Sequence, residues 1–135
     1  MKVEFTVPGQ PRGKERPKFA NGIAYTPKKT VEYENRIKTS YLEKYGLKKF
    51  DEEAALVIHI IAVFEPPASL SQVKKAKLLK SGFPTKKPDI DNICKVVMDA
   101  MNKLVYKDDK QVVAVSMQKT YGEKACVMVE VEDLE

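Results

Sequence analysis

The stretch Ala54-Ala55-Leu56-Val57-Ile58-His59-Ile60-Ile61-Ala62-Val63-Phe64 is nearly continuous in apolar residues and is closed by Glu65-Pro66-Pro67. A run of this kind reads as a strand in the middle of a sheet that is covered on both faces. It is far shorter than the roughly 20 apolar residues of a membrane-spanning helix. His59 interrupts it with no paired ligand nearby. A structural role is the first reading of that histidine, with a metal or general-base role left open.

Upstream, Lys2 to Val7 alternates polar and apolar residues, with Val3, Phe5 and Val7 on one side, and Pro8-Gly9 ends the pattern. This is an opening strand. Gln10 to Asn21 carries Pro11, Gly13 and Pro17 among Arg12, Lys14, Arg16 and Lys18, which predicts an irregular basic loop, and Gly22 to Thr26 predicts a short strand. From Thr26 or Pro27 the roughly 3.6-residue period of Val31, Ile37, Tyr41 and Leu42 predicts a helix stopped by Gly46, with Tyr33, Tyr41 and Tyr45 packed along it.

Downstream, Ser69 or Ser71 can cap an exposed lysine-rich helix running to about Lys80, with Gly82 as its stop. A basic loop follows from Pro84 to Pro88, then a strongly helical segment from about Asp89 to Leu104. Gln111 to Thr120 and Ala125 to Val131, joined around Tyr121-Gly122-Glu123-Lys124, read as a closing hairpin. Strands at both ends with helices between them predict an α+β fold, a single domain over residues 1–135 with helices packed on a mixed sheet.

Composition agrees with one globular domain: 135 residues, 43% hydrophobic and 32% charged, with 8 Pro and 6 Gly. Cys94 and Cys126 are far apart with no CxxC, which points to small core residues and away from zinc or redox chemistry. The opening Met1-Lys2-Val3-Glu4-Phe5 lacks the apolar core of a signal peptide, so a cytoplasmic protein without a membrane partner is expected. The formal net charge of +5 is unevenly placed. Arg12 to Lys29 holds six basic residues against one acid, Pro66 to Pro88 six lysines and no acid, and Glu130 to Glu135 is acidic. A fold that put both basic segments on one face would offer a positive surface to a phosphate backbone.

The chemistry-bearing segment is Lys86-Lys87-Pro88-Asp89-Ile90-Asp91-Asn92-Ile93-Cys94-Lys95, continuing through Val96-Val97-Met98-Asp99-Ala100-Met101. On a helix, Asp91, Lys95, Asp99 and Asn102 fall within roughly 80° of arc, opposite Ile93, Val97, Ala100 and Leu104. The bland explanation is local: Asp89 as N-cap, Asp91 favoured by the helix dipole, Asp91 and Lys95 as an exposed pair, and Asp108-Asp109 as turn chemistry. The sharper one is Mg²⁺, which takes one or two protein carboxylates with waters and phosphate oxygens. Asp89, Asp91 and Asp109 would have to converge at the start of a helix about 15 residues, or roughly 22 Å, long. A short linker cannot span that, so convergence must come from the sheet or from a neighbouring subunit.

Pro88-Asp89-Ile90-Asp91-Asn92-Ile93-x-Lys95, followed by Met98-Asp99-Ala100-Met101 and Asp108-Asp109-x-Gln111-Val112, resembles the central signature of the RusA family of Holliday-junction resolvases. Val7-Pro8-Gly9-Gln10-Pro11, Lys14-x-Arg16-Pro17 and Tyr25-Thr26-Pro27 are similar to that family's N-terminal pattern, so the likeness spans essentially the whole chain. It implies metal ligation by Asp89, Asp91 and a later aspartate, Asp109 with Asp108 as the alternative, and catalytic assistance from Lys95. The cofactor implied is Mg²⁺, with Mn²⁺ as the candidate substitute. The chain departs from the smallest members in a longer lysine-rich stretch from Ser69 to Lys87 and a connection before Asp108-Asp109 that is a residue shorter.

The expected activity is paired phosphodiester cleavage of four-way DNA junctions in recombination and repair, by a homodimer matched to the junction's two-fold symmetry. The ammonium of Lys95 suits stabilisation of transition-state charge or of the leaving oxygen, and Asp99 one turn on is either its orienting partner or a solvated charge. Lys14, Arg16, Lys86 and Lys87, next to the recognised motifs, are the first candidates for DNA binding, with Arg12 and Lys18 behind them. Two other readings stay open: a branched-DNA-binding module that does not cut, and a Mg²⁺-dependent nuclease of flaps or single strands.

Overall fold

The computed structural model describes residues 1–134. Strand β1 (Lys2–Pro8) keeps the alternation of its sequence, with Val3, Phe5 and Val7 buried and the residues between them exposed. It pairs antiparallel with β6 (Cys126–Leu134), placing Val3, Phe5 and Val7 opposite Val131, Val129 and Val127. Strand β4 (Ala55–Phe64) lies antiparallel to β6 on one side and parallel to β5 (Val112–Tyr121) on the other, giving the order β1-β6-β4-β5. The fold is α+β with a mixed sheet, as the element pattern implies.

β4 is interior to the sheet, as its apolar run predicts, but only one of its faces is covered throughout. Leu56, Ile58, Ile60, Ala62 and Phe64 are buried, whereas His59 is exposed and Val57 and Ile61 are half-buried on the other face. His59 Nδ1 lies within hydrogen-bond distance of Ser116 Oγ on the neighbouring strand.

The closing hairpin expected from 111–120 and 125–131 does not form. β4 lies between the two strands, and each builds its ladder on it. The connection must cross two strand spacings, about 10 Å, which residues 122–125 span at up to about 3.5 Å each. Gly122 makes the crossing feasible: its N–H donates to the carbonyl of Phe64 (2.9 Å), and a Cβ there would collide with Val63 Cγ1.

Helix α1 (Lys28–Tyr45) buries Thr30, Tyr33, Ile37 and Tyr41 on one stripe and packs against β1. Tyr41 stacks on Tyr45 and meets Phe5 edge-on, so the tyrosines do run along the helix. Val31 and Leu42, also counted in the apolar period, are exposed at its margins. Helix α2 (Gln72–Ser81) starts at Ser71, whose hydroxyl accepts from Lys74 N–H, and stops at Gly82.

Helix α3 (Ile90–Met101) buries Ile93, Val96, Val97, Ala100 and Met101 against α1 and β5. It ends at Met101 rather than Leu104 because Lys103 adopts a positive φ of 70°, turning the chain so that Val105 and Tyr106 enter the core. The basic loop is less irregular than its Pro and Gly content implies. Lys18–Ala20 (β2) pairs with Ile23–Tyr25 (β3) across Asn21-Gly22, both at positive φ, as a two-residue hairpin turn requires. Cys94 and Cys126 are free and half-buried. Among the described residues no helix is long and apolar enough to cross a membrane.

Candidate functional site

The first turn of α3 carries Asp89 and Asp91, with Lys95 one turn further, all exposed. Asp89 occupies the N-cap position with extended backbone, yet its side chain makes no capping hydrogen bond. Among the described residues none of Asp89, Asp91 and Lys95 enters an ion pair. Two of the local explanations open in the sequence, a side-chain cap and an Asp91–Lys95 pair, are therefore not realised. The helix dipole still favours Asp91 by about 0.3–1 kcal/mol.

The basic loop is fastened to this turn. Lys14 N–H donates to the carbonyl of Asn92 (2.9 Å), and Gly13 passes so close that a Cβ would sit 2.9 Å from Asn92 Cβ and 3.0 Å from Pro88 Cβ. Glu15 N–H reaches Thr30 Oγ1 on α1 (3.4 Å). The result is a cleft of about 530 Å³ between the loop, the start of α1 and the start of α3. Arg12, Lys14 and Lys29 come to it from the first basic segment and Lys87 from the second, beside Asp89 and Asn92. The two basic segments thus meet at the chemistry-bearing turn, which concentrates positive potential there.

Lys14 is set apart from the other cations. Its side chain is only 17% exposed, with Nζ 2.7 Å from Glu34 and 3.1 Å from Asp99. Burial works against its charged form, but the hydrogen bonds to Glu34 and Asp99 outweigh that and raise its pKa above the ordinary lysine value. Arg16, Lys86 and Lys87 are exposed and, among the described residues, unpaired. The partner of Asp99 is Lys14; no ion pair joins it to Lys95.

Asp109 stands at the far end of α3. Its carboxylate accepts a 2.8 Å hydrogen bond from the buried hydroxyl of Tyr106, which also approaches the carbonyl of Met98. Burial raises the pKa of Asp109, the Tyr106 hydrogen bond opposes this, and the charges of Asp99 and Asp108 reinforce it. Asp108 is engaged locally: it accepts from Lys110 N–H in the capping box it forms with Gln111 over the 3₁₀ turn Asp109–Gln111. Among the described residues no three His, Cys, Asp or Glu side chains are grouped to hold a metal. Asp89 and Asp91 share a turn, while Asp109 belongs with Asp99, about 12 Å along the helix from Asp91.

Three positions that the sequence did not single out help to build this region. Glu34 anchors Lys14 from α1. Tyr106 orients Asp109. Lys119 on β5 donates to the carbonyls of Lys86 (2.6 Å) and Pro88 (2.9 Å), holding the segment that leads into Asp89, where the Lys87–Pro88 peptide is cis. Glu34 and Lys119 stand among polar neighbours and Tyr106 follows Leu104-Val105, so no local pattern in the sequence names their partners.

The chain matches the family model described as endodeoxyribonuclease RusA over residues 8–132. It is 33% identical over 144 residues to the uncharacterized protein YqaN of Bacillus subtilis (strain 168), the alignment covering 98% of this chain and 96% of that protein. With the family match spanning both basic segments, the α3 aspartates and most of the final strand, the chain belongs to the RusA family of endodeoxyribonucleases.

Proposed function

We propose that this protein is a Mg²⁺-dependent resolvase of four-way DNA junctions, acting in recombination and repair. The observation that carries the reading is the start of α3: Asp89, whose side chain makes no capping hydrogen bond, lines a cleft walled by cations from both basic segments, the exposed Asp91 and Lys95 follow it on the helix, and among the described residues none of the three is in an ion pair.

The donor set suits Mg²⁺, which is held by one or two carboxylates and completed by waters and substrate phosphate, rather than a cation that needs an all-protein cage. Asp89 and Asp91 would hold it, joined by Asp109. Once bound it supplies Lewis acidity at the phosphoryl group and a more acidic water for attack. The remaining work falls to this chain's side chains. Lys95 stabilises charge that develops on the phosphoryl or leaving oxygen. Arg16, Lys86 and Lys87, with Arg12 and Lys29 in the cleft, neutralise the DNA backbone, an attraction that gives affinity and register with little sequence information. Lys14 acts chiefly by fixing the loop on α1 and α3.

The distance of Asp109 from the other two carboxylates supports a homodimer in which each site takes Asp89, Asp91 and Lys95 from one subunit and Asp109 from its partner. Two such sites related by a dyad match the two-fold symmetry of a four-way junction and place two nicks symmetrically. The test compares junction, flap, linear duplex and single strand under Mg²⁺. Symmetric paired nicks confined to the junction support the resolvase. Preferred cutting of flaps or single strands replaces it with a structure-selective nuclease, and junction binding without cutting under any metal replaces it with a binding module.

A further inference from the structure

Between β4 and α3 the chain leaves the body of the fold and returns, and the regular element of this excursion is α2. None of its residues is buried, and it packs extensively on no other element. A helix of ten residues with so little tertiary support is shorter than the about 12–15 residues an isolated helix needs to persist in water. Its charges add to the difficulty. Lys74, Lys77 and Lys80, spaced i, i+3, are all exposed and fall within about 120° of arc, and like charges at such spacing weaken a helix. From Pro66 to Pro88 there are six lysines and no acid. Among the described residues none of the six is in an ion pair. Only Lys75 and Leu78 turn a half-buried side inward, Leu78 lying under Gly82.

Such a helix calls for a polyanion. The three lysines rise over about 9 Å, a length in which duplex DNA presents several phosphates at one charge per about 1.7 Å. The excursion also ends at the candidate site: Pro84 is buried, and Lys119 holds the carbonyls of Lys86 and Pro88 immediately before Asp89. We propose that α2 is a second DNA-binding element, separate from the cleft, whose Lys74–Lys77–Lys80 face grips the phosphate backbone of a duplex arm next to the strand held at α3. This rests on the nuclease reading and deepens it by naming where an arm lies.

The test is a triple variant, Lys74→Gln, Lys77→Gln and Lys80→Gln, which keeps residues of good helix propensity and touches neither the cleft nor the aspartates. Binding to an immobile four-way junction and to a linear duplex is measured without divalent metal from 50 to 200 mM salt, with thermal unfolding and sedimentation alongside. The expected result is unchanged unfolding and oligomeric state, with the slope of log K against log salt shallower by roughly 2–3, because each phosphate that a lysine no longer neutralises takes about 0.9 from it. At low salt the affinity falls at least about tenfold. Unchanged affinity and slope overturn the proposal, as does a changed oligomeric state, which would assign the lysine face to another copy of the chain. The wild-type protein, assayed in parallel for Mg²⁺-dependent junction cleavage, reports separately on the nuclease reading: cleavage by a wild type whose binding matches the variant's removes the α2 proposal alone. A wild type that does not cut, yet binds DNA through α2, removes the nuclease reading alone.

Discussion

The carboxylate of Asp109 accepts a 2.8 Å hydrogen bond from the hydroxyl of Tyr106, a residue with no exposed surface. A buried phenol fixed on one carboxylate oxygen limits that carboxylate to a narrow set of directions. Tyr106→Phe keeps the ring and removes the tether. The expected cost is about 1 kcal/mol of stability, with a roughly 10–100-fold loss of cleavage at limiting Mg²⁺ and undiminished junction binding. Cleavage equal to wild type at every Mg²⁺ concentration would make Tyr106 a packing residue only.

Lys14 joins α1 and α3 through Glu34 and Asp99. Removing it by Lys14→Met leaves two half-buried carboxylates without their cation and is expected to cost about 2 kcal/mol, the scale of a hydrogen bond to a charged group. The pH dependence has a definite sign. A lysine whose pKa is raised on folding gives its stabilisation in full below the ordinary value of 10.5 and loses it as pH rises through the higher folded value. Thermal unfolding from pH 8 to 11.5 should therefore show the gap between wild type and Lys14→Met constant up to about pH 10 and narrowing above it. A gap that widens with alkalinity contradicts the assignment.

Gly13→Ala places a methyl group against Asn92 and Pro88 at 2.9 and 3.0 Å. Because both neighbours are Cβ atoms close to the backbone, the loop must withdraw, weakening the Lys14 to Asn92 hydrogen bond. The expected outcome is a loss of about 1–3 kcal/mol together with weaker DNA binding, read by thermal unfolding and by junction titration at fixed salt. Unchanged affinity would show that the cleft is not part of the DNA surface.

If Asp109 completes the partner's site, Asp91→Asn and Asp109→Asn proteins, each inactive alone, should recover nicking when mixed and allowed to exchange subunits. In the mixed dimer one composite site carries both substitutions and the other carries neither, so single nicks rather than paired cuts are expected. No recovery, with subunit exchange verified by sedimentation of size-tagged chains, would place all three aspartates of a site in one subunit.

Much of the fold is legible in the sequence because alternation in Lys2 to Val7, the apolar run in Ala54 to Phe64, and Ser71, Gly46 and Gly82 at helix ends are local signals with local causes. The parts that are not legible are non-local. Four residues between two strands look like a hairpin, and nothing in their sequence says that β4 will separate the strands they join. Coverage of β4 on both faces does not follow from its apolar run for a related reason: its apolar outward residues are shared with an open sheet face. In the candidate site the helix face bearing Asp91 and Lys95 follows from periodicity alone, since α3 buries the opposite stripe. The partners of Asp99 and Asp109, Lys14 and Tyr106, are hidden because they depend on how the loop and the turn after α3 fold back.

The most direct measurement incubates the wild-type protein and Asp91→Asn with an immobile four-way DNA junction in Mg²⁺ and in chelator. Paired symmetric nicks by the wild type in Mg²⁺ alone are expected, with cleavage abolished and junction binding retained in Asp91→Asn. Tight junction binding by the wild type with no cut in any divalent metal, or cutting that survives Asp91→Asn, would contradict a resolvase centred on the first turn of α3.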